Sequence, residues 1–150
     1  MIKRKTQLIT SSFGHRTNPI TGITHFHSGV DLRCVNFLSW RRQPAIFPER
    51  CVVTKIDNSE KWGGIVYYQS LNNPRYSFVS MHIDPKNICV KSAYEAGEVI
   101  GYGMVTEYMK QHKLGLHEHF VVKNGINLMN PIHYFDVIDA KYKYKRGVNE

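Results

Sequence analysis

The stretch Leu116-His117-Glu118-His119-Phe120-Val121-Val122 decides how this chain is read. Its apolar ends and β-branched close mark a strand. Side chains alternate faces along a strand, so His117 and His119 point one way and Glu118 the other. On a helix, residues two apart do not face each other. Two imidazoles on one face of a strand make a grip for a metal ion, or for a metal ion and its reacting water. The remaining ligands must come from elsewhere in the chain.

Outward from this stretch, Asn124-Gly125 is the commonest hairpin signal. Upstream, Tyr76–His82 alternates as a strand, and Cys51–Ile56 is dense in β-branched residues. Gly63-Gly64 precedes another strand over Ile65–Gln69, and Leu71–Arg75 reads as a turn. Ile88–Val90 and Gly97–Gly101 are shorter extended pieces. Leu8–Arg16 reads as a short strand ending in a turn at Gly14, residues 26–35 as extended, and Asn36–Pro48 as a surface loop. Residues 104–114 make either a short helix or a loop, and Pro131–Phe135 starts a terminal helical turn. Many short strands without a long amphipathic helix predict an all-β domain.

With 150 residues the chain fits one domain with a real core. No run approaches the roughly 18 apolar residues of a membrane helix, so no membrane span is expected. Met1-Ile2-Lys3-Arg4-Lys5 is basic, but Thr, Gln and Ser follow, which is a poor signal-peptide core. The net charge of +8 favours polyanions such as nucleic acids, anionic lipids or the polymers of a bacterial wall, and does not choose among them. Cys34, Cys51 and Cys89 are odd in number and form no CxxC pair, so each reads as a space-filling thiol rather than a zinc ligand. Lys141–Arg146 is a charge run whose plain reading is a solvated end.

The histidines supply the chemistry. His27 and Asp31 are four apart, and on a strand that spacing keeps both on one face. Two imidazoles and a carboxylate are a zinc ligand set that leaves a fourth position for water. His27, Asp31, His117 and His119 therefore offer more than three ligands, and His82 closes a strand of its own. His25-Phe26-His27 is a second HxH, and spacing alone does not exclude it.

These segments together resemble the lysostaphin-type, LytM-like zinc endopeptidases that cut peptidoglycan cross-bridges. Ser11-Ser12-Phe13-Gly14-His15-Arg16, with Pro19 and Thr21-Gly22, is similar to that family's opening segment. His27-Ser28-Gly29-Val30-Asp31-Leu32 matches its HxGxD signature. Phe78-Val79-Ser80-Met81-His82-Ile83 resembles its Tyr-x-His-Leu strand, and Ala96-Gly97-Glu98-Val99-Ile100-Gly101 its Ala-Gly-x-x-Ile-Gly segment. Gly115-Leu116-His117-Glu118-His119-Phe120 is similar to its Gly-x-His-x-His-Phe block, and Asn124-Gly125 and Asn130-Pro131 to its close. The resemblance covers about residues 10–135, with 136–150 as a basic tail.

The resemblance implies an antiparallel β core of the duplicated-hybrid-motif kind, with little helix and a long substrate groove. It implies one Zn2+ held by His27, Asp31 and His119, with His82 and His117 as catalytic residues beside it. His25 becomes a groove-rim residue, and Tyr67 and Tyr76, with Tyr68, are candidates for a substrate-side tyrosine. It implies a monomeric hydrolase of peptidoglycan peptides, phage-encoded or bacterial, acting at the cell wall. The alternative is a catalytically silent module of the same fold that binds peptidoglycan or activates another hydrolase. Peptidases of the D-Ala-D-Ala carboxypeptidase type also use two His and an Asp, but with a longer first interval. No RNP, KH or zinc-finger signature supports a nucleic-acid partner. Two departures stand out. Asn36–Ala45 is longer and more basic than its counterpart. Glu118 replaces the usual Leu, on the face away from the metal, so it is expected to reach solvent or pair with a Lys or Arg.

Overall fold

A computed structural model describes residues 9–18, 20–35 and 41–133. The expectations for the basic tail, for Tyr134 and Phe135, and for residues 36–40 lie outside the described residues. Among the described residues there are twelve strands: β1 (Ile9–Ser11), β2 (Gly14–Thr17), β3 (Thr24–His27), β4 (Val30–Arg33), β5 (Ala45–Ile46), β6 (Cys51–Ser59), β7 (Gly63–Ser70), β8 (Tyr76–Pro85), β9 (Ala93–Tyr94), β10 (Val99–Gly103), β11 (His117–Asn124) and β12 (Asn127–Met129). Helix α1 (Glu107–Gln111) is capped by Thr106, and a 3-10 turn covers Pro131–His133.

The strands form one large antiparallel sheet in the order β1-β4-β11-β8-β7-β6-β9, while β2 and β3 make a separate ribbon. The expected all-β class holds. The stretch read first, β11, is central to the large sheet, with β4 on one side and β8 on the other. Asn124-Gly125 closes the β11–β12 hairpin, where Gly125 takes a φ of 61° that a β-branched residue would resist.

Alternation sorts each strand into two faces. Inward point Leu32, Val66, Tyr68, Phe78, Phe120 and Val122, all essentially without solvent exposure. The rings of Phe47, Tyr68, Phe78 and Phe120 follow one another across the sheet with centroids 5.1, 5.3 and 6.0 Å apart. Burying one such side chain is worth about 1.5–3 kcal/mol, so this row anchors the sheet. Outward from the same strands point His117, His119, Val121, Met81 and Tyr67, which leaves the second face for chemistry.

Several local expectations are corrected. The segment Leu8–Arg16 divides near Gly14 into β1 and β2, which belong to different sheets. Residues 41–48 are not merely surface loop. Ala45 and Ile46 pair with β10, and Phe47 is fully buried. Ile88–Val90 is not a strand, and Ala93–Tyr94 pairs with β6 instead. Cys51 is buried beside Glu49. Burial first, and the Glu49 charge second, push its thiol up to about 12, so it is inert packing, as read from the sequence.

Candidate metal centre

The centre is built where β4 and β11 pair. Asp31 lies directly opposite His119. His27 arrives from the end of β3, and its position depends on a break in the chain. On an unbroken strand, residues four apart lie about 13 Å from each other. Here His27 Nε2 is 3.2 Å from Asp31 Oδ1, because Ser28 and Gly29 separate β3 from β4. One extended segment was expected, and the structure replaces it with two strands and a bend. Gly29 is required at the bend. A Cβ there would lie 2.1 Å from the Phe120 carbonyl oxygen of β11.

Three donor atoms converge. His119 Nδ1 is 3.0 Å from Asp31 Oδ1 and 3.1 Å from His27 Nε2. Metal–ligand bonds of about 2.0–2.1 Å place tetrahedral ligand atoms about 3.3 Å apart, close to this spacing. Two imidazole nitrogens and one carboxylate oxygen at this spacing share either a cation or hydrogen-bonding protons. His27, Asp31 and His119 thus fit a divalent ion of the zinc type by geometry and by donor chemistry.

The outer nitrogens are all occupied. His27 Nδ1–H donates to the Ser12 carbonyl at 2.8 Å, which turns Nε2 inward. Ser28 Oγ lies 3.2 Å from His119 Nε2, the nitrogen that carries the proton when Nδ1 faces a cation. Such outer contacts fix ring orientation and tautomer. Burial alone would raise the Asp31 carboxyl. The hydrogen bonds from His119 and His27, and the charges of His27 and His117, outweigh it and hold Asp31 well below the usual carboxylate range.

Two further histidines face the cluster. His117 Nδ1–H donates to the Gly115 carbonyl at 2.8 Å, and its Nε2 is 3.8 Å from Asp31 Oδ1. His82 Nδ1–H donates to the Trp62 carbonyl at 2.7 Å, and its ring centroid is 4.7 Å from that of His117. Simple alternation would send His82 inward with Ser80. A bulge intervenes: His82 has a φ of 66°, and the β7–β8 register shifts between Gly64 and Ile65. The left-handed residue turns His82 onto the outer face and restores Ile83 to the core. Burial, more than any neighbour, pushes the His82 imidazole down. The charges of His117 and His119 add to that, against the Trp62 carbonyl and Asp31.

The other candidates divide. His25 is exposed on β3, with Arg16 Nη2 at 3.0 Å from its Nε2, outside the cluster. Tyr67 lines the groove that contains His119. Tyr68 sits on the opposite face, fully buried. Tyr76 packs against the core five residues along β8 from Met81, about 17 Å away, and is not brought to the cluster. Glu118 does not reach solvent. It is fully buried, accepting from Ser80 Oγ at 2.9 Å, with Tyr68 OH 2.9 Å from the same serine. The Ser80 hydroxyl gives the buried carboxyl a hydrogen-bond partner that an apolar surrounding would not. Sequence reasoning overlooked Ser28 and Trp62. Ser28 lay inside the HxGxD signature, and that adjacency was its signal. Trp62 acts through its backbone carbonyl, which leaves no mark in a sequence.

No family model matches the chain, and no curated protein matches it. Solved structures do. The catalytic domain of lysostaphin from Staphylococcus simulans superimposes with a TM-score of 0.62 at 18% identity, over 87% of this chain and 91% of that one. A zinc-containing peptidase from Vibrio cholerae gives 0.64 at 20% identity, over 85% of this chain and 38% of that one. The SpoIIQ–SpoIIIAH pore-forming complex gives 0.65 at 16% identity, over 92% and 89%. The chain has the fold of the lysostaphin-type peptidase domains, as the motif resemblance implies.

Proposed function

We propose that this chain is a zinc-dependent endopeptidase that hydrolyses amide bonds in the peptide cross-links of peptidoglycan, as a phage or bacterial cell-wall lytic enzyme. One observation carries the reading: two imidazole nitrogens and a carboxylate oxygen lie within 3.2 Å of one another. His27, Asp31 and His119 would hold a single zinc ion. Zinc bound to such a set brings the pKa of a water to about 7 and polarises a carbonyl.

The rest is the work of this chain's own side chains. His117 and His82 each have Nδ1–H tied to a backbone carbonyl, so each presents Nε2 as the free acceptor. A neutral Nε2 takes a proton from the attacking water and, once charged, passes it to the leaving amine. The charged ring also stabilises negative charge growing on the carbonyl oxygen. Asp31 supplies one negative charge to the cation site and links it to His117. The residues used all come from one copy, so the reading needs no oligomer.

Purified protein should release shortened peptides from cross-linked sacculi, lose this activity in chelator and regain it with zinc. Full activity of His119→Ala at matched zinc content would overturn the reading. A second reading has its own support, because the same fold occurs in the SpoIIQ–SpoIIIAH pore-forming complex. A silent module that binds peptidoglycan or activates another hydrolase would bind sacculi at full zinc loading without releasing products.

A further inference from the structure

On one side the metal cluster opens into a groove of about 410 Å³ that runs along β11 from His119 to Lys123. Val79, Met81 and Val121 form its floor. Tyr67 bounds it on one side, and Ile126 and Leu128 of the hairpin on the other. The register makes the sequence of surfaces explicit. Met81 pairs with His119, Val79 with Val121, and Ser77 with Lys123. Successive outward positions therefore change from ligand to apolar to cationic.

Lys123 is exposed at the far end, and among the described residues no carboxylate pairs with it. Lys55, which lies over the Tyr67 ring at the groove's side, is already paired with Asp57 at 3.2 Å. Among the described residues no Asp or Glu lines the groove. An apolar floor favours an extended peptide but does not choose its position along the groove. A cation at one end does, because an anionic group placed there gains an attraction that an uncharged one lacks.

We infer that this groove binds a peptide segment carrying a free carboxylate, and that Lys123 is the residue that selects it. The inference rests on the hydrolase reading for its substrate. From His119 to Lys123 is four residues of strand, about 13 Å, and an extended peptide covers that distance in about four residues. The carboxylate therefore lies about four residues from the bond at the metal. An amidated carboxyl keeps the shape and loses the charge, so it is the discriminating competitor. The occupant is an acidic peptide, in keeping with a chain of net charge +8.

The test compares cross-linked wall peptides with free and with amidated carboxyls, using the zinc-loaded full chain. Wild type should favour the free acid in kcat/KM by about fivefold, the upper range for one exposed ion pair. That preference should shrink in high salt. Lys123→Met should bring the ratio to about one, and Lys123→Glu should invert it, each with zinc content retained. A ratio unchanged in Lys123→Met overturns the inference. Binding of the same two peptides to the His117→Ala protein gives a readout without turnover. Preferential binding of the acid that Lys123→Met removes supports the inference even if no wall is ever cut, an outcome that sinks only the hydrolase reading. Equal binding of both peptides overturns it.

Discussion

The chain contains two His-x-His pairs, and the structure treats them differently. His25-Phe26-His27 lies on the two-stranded β2–β3 ribbon, and His117-Glu118-His119 at the centre of the large sheet. In each pair the second histidine enters the cluster. The first histidines part company. His25 meets Arg16 in solvent, whereas His117 stands 3.8 Å from Asp31 with its other nitrogen held by Gly115. The middle residues differ as well. Phe26 is nearly half exposed and packs edge-on against Phe13, while Glu118 is sealed in the core. A spacing of two assigns a side chain to a face. The neighbouring strands decide what that face meets.

That contrast can be broken by substitution. Replacing the second histidine of either pair should have the largest effect. His27→Ala and His119→Ala should each lose bound zinc, measured by elemental analysis, and lower sacculus hydrolysis on the order of 10³-fold or more. His117→Ala should keep its zinc and lower kcat by about 10²-fold or more, as expected for a proton carrier. Equal zinc loss in His117→Ala would erase the distinction between the two histidines of the second pair. Gly29→Ala pushes β3 and β4 away from Phe120, so it should lower both melting temperature and zinc affinity, with about 1–3 kcal/mol lost in denaturant titration. Glu118→Leu removes a buried carboxylate and leaves Ser80 to Tyr68. Its stability should change by less than about 1.5 kcal/mol, whereas Glu118→Ala, which adds a cavity, should cost more. His25→Ala should be the quietest, with stability within about 0.5 kcal/mol of wild type.

Much of this was legible in the chain. The β-branched runs of β6 and β7, the alternation of β8 and the Asn124-Gly125 turn are local signals, and the structure follows them. So is the facing of His117 and His119. What failed was nonlocal. Ala45, Ile46 and Phe47 sit in a basic, loop-like stretch, and only β10 and the aromatic row make them strand and core. Four-residue spacing put His27 and Asp31 on one face, but the contact comes from a bend packed on Phe120. His82 reaches the outer face through a left-handed backbone that its residue type does not announce. Glu118 was expected to reach solvent or a Lys or Arg, because Ser80, a partner 38 residues away, leaves no local signal.

The pairing of β4 with β11 also sets an order of events. Asp31 and His119 are separated by 88 residues. At synthesis rates of about 5–20 residues per second, His27 and Asp31 wait roughly 4–18 s for His119. During that time β4 lacks the neighbour that later covers its edge, and β8 lacks the same neighbour on its other side. A chain halted before β11 would carry two open strand edges and lack one of the three candidate ligands, which makes it prone to association. If His27, Asp31 and His119 hold the ion as proposed, its uptake would report completion, because only a molecule whose last central strand has been inserted brings the three side chains together.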